Sequence, residues 1–273
     1  MTEKISIVTD EISQDLEECK TFLDDHNLFA VELRCIRDKR VPDIERRDLQ
    51  ILKEWARGRD PVILAVSPGL FKCDVEDHTE IRRHLEDTLP RSIEMAVDLE
   101  ARFLVTFAFH NPNRLPVGHK AVESLAAAAE ACAEAGLPLL MENEPGFLAC
   151  TAGEIKHLIE AVSHPNLFVN WDPLNSNEFE EADLTKGIRE IFPLIRHVHV
   201  KNGRLRPGTL LAECCSLRAG EIDWPAHLRA LKALGYTGHL GVETHYLPFK
   251  ENSVVVLGEL REMLAKIESW GVS

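Results

Sequence analysis

Short apolar runs alternate with longer stretches of helical period along almost the whole chain. Eight of these runs are nearly continuous in β-branched and other apolar residues, as strands are when helices cover both faces of a sheet. The predicted strands are 4–9, 29–34, 61–67, 102–110, 137–143, 167–172, 196–202 and 239–245. A predicted helix follows each of them, near 14–25, 46–58, 79–99, 119–135, 153–163, 183–192, 223–235 and 253–268.

Eight strand–helix units without a composition shift or a low-complexity linker predict an α/β fold, a closed (β/α)8 barrel that forms one domain over residues 1–273. The main alternative is an open, doubly wound sheet. Such sheets usually carry a glycine-rich phosphate turn after the first strand. The corresponding segment here, TDEISQD, has no glycine, so the pattern favours the barrel.

Composition and charge narrow the class of protein. The net charge of −14 disfavours a nucleic acid partner, because an acidic surface repels phosphate backbones. The seven cysteines include no C-x-x-C pair, which is typical of free thiols in a reducing compartment. The N-terminus lacks a signal pattern and the apolar runs are too short to span a membrane, so we expect a cytoplasmic protein without a membrane partner.

Candidate chemistry gathers at the carboxyl ends of strands five to eight, where barrel enzymes place their sites. These strands end at Glu142, Asp172, His199 and Glu243. A single residue of this kind more often caps a helix or bonds within the core. Four at successive strand ends are harder to dismiss, because carboxylates facing a barrel mouth need compensation of their charge. The set predicts a metal site.

Three oxygen donors and one imidazole suit a hard or borderline divalent cation. We expect one such ion, with Mn²⁺ preferred over Mg²⁺, Co²⁺ and Zn²⁺, since a thiolate-rich zinc site is not evident.

The segment IRHVHVKNG places His197, His199 and Lys201 on one face of strand seven. His199, nearer the carboxyl end, is the expected ligand. His197 would lie one layer deeper and orient its neighbours through a hydrogen bond. Lys201 would reach the rim and contact a substrate oxygen or phosphate, although a solvated lysine is an equal alternative.

Four segments, LLMENEPG, NWDPLN, RHVHVKNG and GEIDWPAHLRALKALGYTGHLGVETH, resemble the sugar phosphate isomerase/epimerase family, the xylose isomerase-like TIM barrels. The resemblance covers essentially the whole chain. It implies one divalent ion held by Glu142, Asp172, His199 and Glu243, with Glu142 and Glu243 as the acid–base pair. The implied reaction moves a proton next to the carbonyl of a sugar or keto-sugar through a metal-stabilised enediolate. It also suggests a homodimer or homotetramer.

The sequence departs from the epimerase pattern at three positions, the first of which the resemblance associates with substrate binding. Asn175 stands where those enzymes have a histidine, Leu205 where they have an arginine, and Leu148 where they have a second glutamate. These departures put epimerisation of a free ketose in doubt. The remaining polar rim residues are Glu11, Glu32, Arg34, Ser67, His110, Asn143, Lys201 and His245.

From these positions we predict six substrate-binding residues: Glu32, His110, Asn143, Asn175, Lys201 and His245. Glu32 and Arg34 share a strand face, so a mutual ion pair is an alternative for them. His110 is evenly balanced between a substrate contact and a loop hydrogen bond.

Three further functions compete with the isomerase or epimerase. A lyase or dehydratase acting on a keto-sugar or inosose would use the same ion and base. A DNA-repair nuclease resembling endonuclease IV would need more strand-end histidines and a basic groove. A non-catalytic sugar or metal sensor would keep the ligand quartet, but the glutamate pair argues for turnover.

Overall fold

Eight parallel strands close into a barrel in the computed structural model, which describes residues 4–57, 63–177, 184–206 and 212–269. The barrel strands are β1 (Ile5–Val8), β2 (Val31–Leu33), β3 (Ile63–Leu70), β4 (Phe103–Thr106), β5 (Leu139–Glu142), β6 (Leu167–Trp171), β7 (Ile195–Val200) and β8 (His239–Val242). Each pairs with its neighbours in chain order, and β1 pairs with both β2 and β8. The predicted fold class is therefore confirmed.

Helices surround the barrel in the order that the apolar pattern predicts. They are α1 (Leu16–Asp25), α2 (Arg46–Ala56), α3 (His78–Arg83), α4 (Leu89–Asp98), α5 (His119–Glu134), α6 (Ala152–Val162), α7 (Pro173–Asn177), α8 (Leu184–Ile191), α9 (Trp224–Ala233) and α10 (Phe249–Ser269). A π-helical turn, His84–Thr88, joins α3 to α4 and accounts for the single long helix predicted near 79–99. Residues 1–3, 58–62, 178–183, 207–211 and 270–273 of the predicted domain lie outside the described residues. They include the start of the predicted strand 61–67, the last residue of the predicted helix 46–58 and the first residue of the predicted helix 183–192.

Strand β5 illustrates how alternation separates the two faces of the barrel wall. Leu139 and Met141 belong to the large core cluster between sheet and helices. Leu140 and Glu142 alternate with them and therefore point into the barrel. The same period brings polar side chains of β6, β7 and β8 to the inner face near the strands' carboxyl ends.

Side-chain caps define where several helices begin. Asp15, Asp77 and Asp223 accept backbone N–H groups at the starts of α1, α3 and α9. Thr151 and Glu154 form a capping box at the start of α6. These caps satisfy donors that have no partner within the helix, so each strand-to-helix turn has a defined end.

Two hairpins extend beyond the predicted elements. One joins Cys35–Ile36 to Lys39–Arg40, and the other joins Asn202–Leu205 to Ala212–Cys215. The second lies in the long segment after β7 and is anchored by Asn202, whose Nδ2 donates to the carbonyls of Leu217 and Ile222 at 2.7 and 3.0 Å. A sequence pattern of alternating residues over only four positions is too short to predict it.

None of the helices in the described part of the chain combines the length and the apolar character that a membrane span requires.

His227 on α9 couples the stability of the barrel to pH. It is 1% exposed, and its Nε2 accepts a hydrogen bond from Trp171 Nε1 at 3.0 Å. Burial lowers the pKa of His227 to about 4. The unfolded chain therefore binds a proton on this histidine at a higher pH than the folded protein does, so stability falls as the pH drops from about 6.5 toward 4.

We expect the wild-type free energy of unfolding to drop by about 2 kcal/mol more than that of a His227→Gln variant between pH 7 and pH 5. The glutamine amide oxygen can still accept the hydrogen bond from Trp171 but does not titrate. Urea unfolding at both pH values measures the difference. Equal losses in the two proteins would show that His227 does not contribute.

Candidate metal centre

Four buried side chains converge at the carboxyl ends of β5 to β8. Glu142 is the last residue of β5, Asp172 directly follows β6, His199 lies in β7 and Glu243 directly follows β8. Their exposures are 3%, 0%, 0% and 4%. Each offers one donor atom, and these atoms all lie within 4.8 Å of one another. The four residues that the sequence places at successive strand ends are thus neighbours in space, and they are called the quartet below.

The imidazole of His199 lies among the carboxylates. Its Nδ1 is 3.3 Å from Glu142 Oε1 and 3.3 Å from Glu243 Oε2. Gly241 of β8, which is paired with His199 in register, makes room for this ring. A Cβ at Gly241 would lie 2.5 Å from His197 Nε2 and 3.3 Å from His199 Cδ2, so a side chain there would displace both imidazoles.

Lys201 joins two members of the quartet. Its ammonium nitrogen lies 2.9 Å from Asp172 Oδ2 and 3.0 Å from Glu243 Oε2, and the residue is 6% exposed. The contact with Asp172 is an ion pair without hydrogen-bond geometry, since Asp172 Oδ2 has no hydrogen-bond partner among the described residues. Burial opposes the charge on Lys201, but Asp172 and Glu243 outweigh it and raise its pKa.

A second group of charges holds the outer oxygen of Glu243. Arg34 and His245 both contact Oε1 of Glu243, His245 Nε2 at 3.3 Å. Glu11, which is fully buried, lies behind them and pairs with Arg34 Nη2 at 3.1 Å and His245 Nδ1 at 3.0 Å. Asp10 completes the group by pairing with Arg34 Nε at 3.0 Å.

These contacts shift the pKa values of two site carboxylates in opposite directions. Burial opposes ionisation of Glu243, but Lys201, His245 and His199 outweigh it and hold its pKa well below the usual range. Burial raises the pKa of Asp172, and the charge of Glu243 adds to the effect. Glu243 is therefore the member of the pair that stays ionised most readily.

Two predicted substrate-binding residues, Asn143 and Asn175, are hydrogen-bonding partners of Asp172. Asn143 is fully buried; its Oδ1 accepts from Asp172 N at 2.8 Å and its Nδ2 donates to Asp172 O at 2.8 Å. Asn175 donates its backbone N–H to Asp172 Oδ1 at 3.1 Å and its Nδ2 to Asn143 O at 2.8 Å. Asn143 holds Asp172 through its side chain and Asn175 through its backbone N–H, and a direct contact of either residue with substrate stays a prediction.

Glu32 and His197 lie beneath the quartet. Glu32 is 2% exposed, and its Oε2 is 3.0 Å from His199 Nε2 and 3.6 Å from His197 Nε2. His197, as predicted, fills a deeper layer of the barrel and is fully buried. The predicted hydrogen bond to a neighbour is wrong, because neither ring nitrogen has a hydrogen-bond partner among the described residues. Asn170 of β6 lies in the same layer, with its Nδ2 3.1 Å from His199 Nε2.

The other predicted substrate-binding residues are more open. His110 is exposed and packs edge-on against Phe147, with 4.7 Å between ring centroids. His245 retains 40% side-chain exposure at the rim. Lys72 and Glu144 also line this region, with 3.2 Å between Lys72 Nζ and Glu144 Oε1, and burial raises the pKa of Glu144.

The donor set fits a divalent cation. Within the described residues, Lys201 is the ammonium that contacts the quartet, at Asp172 and Glu243. The charges of Arg34 and His245, which contact Glu243, are shared with Asp10 and Glu11. Buried negative charge therefore exceeds the positive charge around it, and a buried oxygen of Asp172 lacks a hydrogen-bond donor. Carboxylate oxygens with one imidazole nitrogen are ligands that Mn²⁺, Mg²⁺, Co²⁺ and Zn²⁺ accept.

A parallel eight-stranded barrel with a cluster of carboxylates and histidine in its mouth defines the class: a (β/α)8 protein with a candidate cation site at the catalytic end of the barrel. The profile of the xylose isomerase-like TIM barrel family matches residues 13–267. The chain belongs to this family. Among curated protein sequences, no significant relative was found.

Solved structures with the same fold include several sugar-modifying enzymes. An L-ribulose 3-epimerase has a TM-score of 0.79 and 19% identity, over 99% of this chain and 97% of the other. A probable 3-DHS dehydratase involved in petrobactin synthesis in Bacillus anthracis has a TM-score of 0.80 and 16% identity, over 94% and 98%. The IOLI protein, solved with a bound zinc atom, has a TM-score of 0.79 and 15% identity, over 97% of each chain.

Sequence reasoning alone did not predict the roles of Asn170 and Arg34. Asn170 lies two positions before Asp172 on β6, and this spacing could have placed it on the inner face. Arg34 was recognised as a rim residue, but its contact with Glu243 joins positions 209 residues apart. No local pattern signals such a contact.

Proposed function

We propose that this protein is a divalent-metal-dependent sugar isomerase or epimerase that moves a proton next to a carbonyl through an enediolate. The observation that carries the proposal is the convergence of Glu142, Asp172, His199 and Glu243, whose donor atoms lie within 4.8 Å of one another in the barrel mouth. The family match and the epimerases among the structural neighbours support it. We favour Mn²⁺, with Mg²⁺, Co²⁺ and Zn²⁺ as the other candidates.

A divalent cation held by these four residues would supply Lewis-acid stabilisation for negative charge that develops on the substrate oxygens. The protein's own residues supply positive charge, hold the ligands in place and exclude water. Lys201 lies beside Asp172 and Glu243 and adds positive charge where the enediolate forms. Asn143 and Asn175 hold Asp172 in place, and water has little access to the buried quartet.

We propose Glu142 and Glu243 as the groups that transfer the proton. A base on one face of the carbon and an acid on the other are what the reaction requires, and the two residues come from different strands, β5 and β8. Arg34 and His245 bind Oε1 of Glu243, so this carboxylate is kept ionised and oriented. Glu142 contacts only neutral Asn170 and the ring of His199 among the hydrogen bonds of the described residues.

A lyase or dehydratase acting on a keto-sugar or inosose is the second candidate. One observation favours it: Asn175, where the resemblance places a substrate-binding histidine, is 5% exposed and bonded to Asn143 and Asp172. The contact that a histidine at this position would make with a free ketose in an epimerase is therefore not available from Asn175. The dehydratase among the structural neighbours supports the same alternative.

We propose Glu32, His110, Asn143, Asn175, Lys201 and His245 as residues that shape the substrate site, directly or through the quartet. The partner would be a small sugar or keto-sugar. A homodimer or homotetramer, a cytoplasmic location and a single domain over 1–273 stay predictions from the sequence.

A screen of keto-sugars and inosose in deuterated water with added Mn²⁺ tests the proposal. We expect deuterium in recovered substrate or product, without loss of water or of an aglycone. Elimination products would instead establish the lyase or dehydratase.

Two variants provide the comparison for this screen. Glu142→Gln should abolish exchange, whereas Glu94→Gln, at an exposed position of α4, should exchange like the wild type. A metal-loaded protein that neither exchanges nor eliminates with any of these compounds would contradict the proposal.

A further inference from the structure

His199 can present only one of its two ring nitrogens, Nδ1 or Nε2, to a cation. The two nitrogens have different neighbours. Nδ1 faces Glu142 and Glu243 of the quartet, at 3.3 Å from each. Nε2 points the other way, toward Glu32 Oε2 at 3.0 Å. Asn170 Nδ2 lies slightly farther from Nε2, at 3.1 Å, and has Glu142 Oε2 as an acceptor for its own N–H at 3.4 Å. A neutral imidazole carries its proton on one nitrogen and a lone pair on the other. A bond from Nε2–H to Glu32 leaves the lone pair on Nδ1, the nitrogen that faces the quartet.

We infer that Glu32 is a positioning residue of the metal centre: its carboxylate accepts the Nε2 proton of His199 and so fixes the tautomer and ring orientation that bind the cation. This inference rests on the proposed function. Metal-ligating histidines commonly donate their other N–H to a carboxylate, which also makes the ligating nitrogen more basic.

The barrel interior is shaped to allow this contact. Strands β1 and β8 separate β2, which carries Glu32, from β7, which carries His199. Of the two intervening strands, β8 contributes Gly241, which is paired in register with His199. A Cβ at Gly241 would already lie 2.5 Å from His197 Nε2. The absence of a side chain at Gly241 therefore leaves room for the rings of His197 and His199, which both lie beside Glu32.

The carboxylate of Glu32 is buried and therefore needs a hydrogen-bonding partner. It is 2% exposed, and an isolated carboxylate there would be costly. Its distance of 3.6 Å to His197 Nε2 exceeds hydrogen-bond length, so His199 is its hydrogen-bonded partner. His197 packs edge-on against His199, with ring centroids 5.3 Å apart, and limits rotation of the ring.

The same three residues, Glu32, His197 and His199, could also hold a second cation, because their donor atoms too lie within 4.8 Å of one another. Glu32 would then be a ligand and His199 a bridge. A stoichiometry of two ions per chain separates this arrangement from the positioning role.

The test is the affinity and stoichiometry of Mn²⁺ binding by calorimetry. We expect one ion per wild-type chain and about 10–100-fold weaker binding by Glu32→Leu. Glu32→Gln, which keeps an acceptor oxygen, should lose less than Glu32→Leu. Asp48→Asn, a buried carboxylate that pairs with Arg37 away from the barrel mouth, is the matched control and should bind like the wild type.

Nitrogen-15 NMR of histidine in the protein loaded with diamagnetic Zn²⁺ gives a second readout. His199 should carry its proton on Nε2, whereas His227, whose Nε2 accepts from Trp171, should carry it on Nδ1 and serves as an internal reference.

The outcomes distinguish the two proposals. Absence of metal binding in the wild type contradicts the proposed function. One ion bound equally well by the wild type and Glu32→Leu, a proton on His199 Nδ1, or two ions per wild-type chain each overturns the role of Glu32 while the proposed function stands.

Discussion

Replacing Glu243 by glutamine should slow solvent hydrogen exchange into substrate by about 10²–10⁴-fold, the contribution of one positioned acid–base group. Glu243 is the point where the cationic groups of the site meet: Lys201 contacts Oε2, and Arg34 and His245 contact Oε1. A neutral amide cannot replace the carboxylate as a proton acceptor. The fold should survive, because Arg34 keeps Asp10 and Glu11 as partners.

The measurement is the rate of deuterium incorporation into a substrate identified in the screen, at saturating metal for each protein. Glu94→Gln serves as the control, since it makes the same chemical change on an exposed helix face. A Glu243→Gln variant that exchanges within a few-fold of the wild type would remove this residue from the chemistry. Ligand binding without any reaction in the wild type would favour a sensor.

Manganese should stabilise the folded protein strongly. At a free concentration about 100 times the dissociation constant, a ligand that binds only the folded state adds about 2.7 kcal/mol to the free energy of unfolding. For a chain of this size that corresponds to a rise in Tm of roughly 5 °C. The physical reason is that the ion compensates the surplus negative charge of Glu142, Asp172 and Glu243.

Thermal unfolding with chelator and with Mn²⁺ checks this prediction, each protein being compared with its own chelated state. Asp172→Asn should lose most of the shift, although its side-chain oxygen can still accept the N–H of Asn175. Glu94→Gln should keep the shift in full. An undiminished shift in Asp172→Asn would place the ion elsewhere in the protein.

The fold and the quartet could be predicted from sequence for the same reason. Parallel strands carry their residues in order, so a polar residue at the end of each of four successive apolar runs comes to one edge of the barrel. No loop conformation has to be known to predict the order of the strands. The same holds for the grouping of Glu142, Asp172, His199 and Glu243.

The roles of the surrounding residues could not be predicted in this way. The sequence places Glu32 among the rim residues because the second predicted strand ends around Glu32 and Arg34, but its side chain is buried and contacts His199. Asn143 and Asn175 are predicted substrate-binding residues, and no segment of sequence predicts their hydrogen bonds to Asp172 and to each other. Such contacts depend on the tilt and stagger of several strands together, which no single segment encodes.

The central claim is that four side chains share one cation, and crystals grown with Mn²⁺ test it most directly. The anomalous difference map at the manganese edge should show one peak per chain, about 2.0–2.3 Å from an atom of Glu142, Asp172, His199 and Glu243. Nδ1 should be the atom contributed by His199. A map with no peak at this position, or with the peak bound to other residues, would contradict the claim.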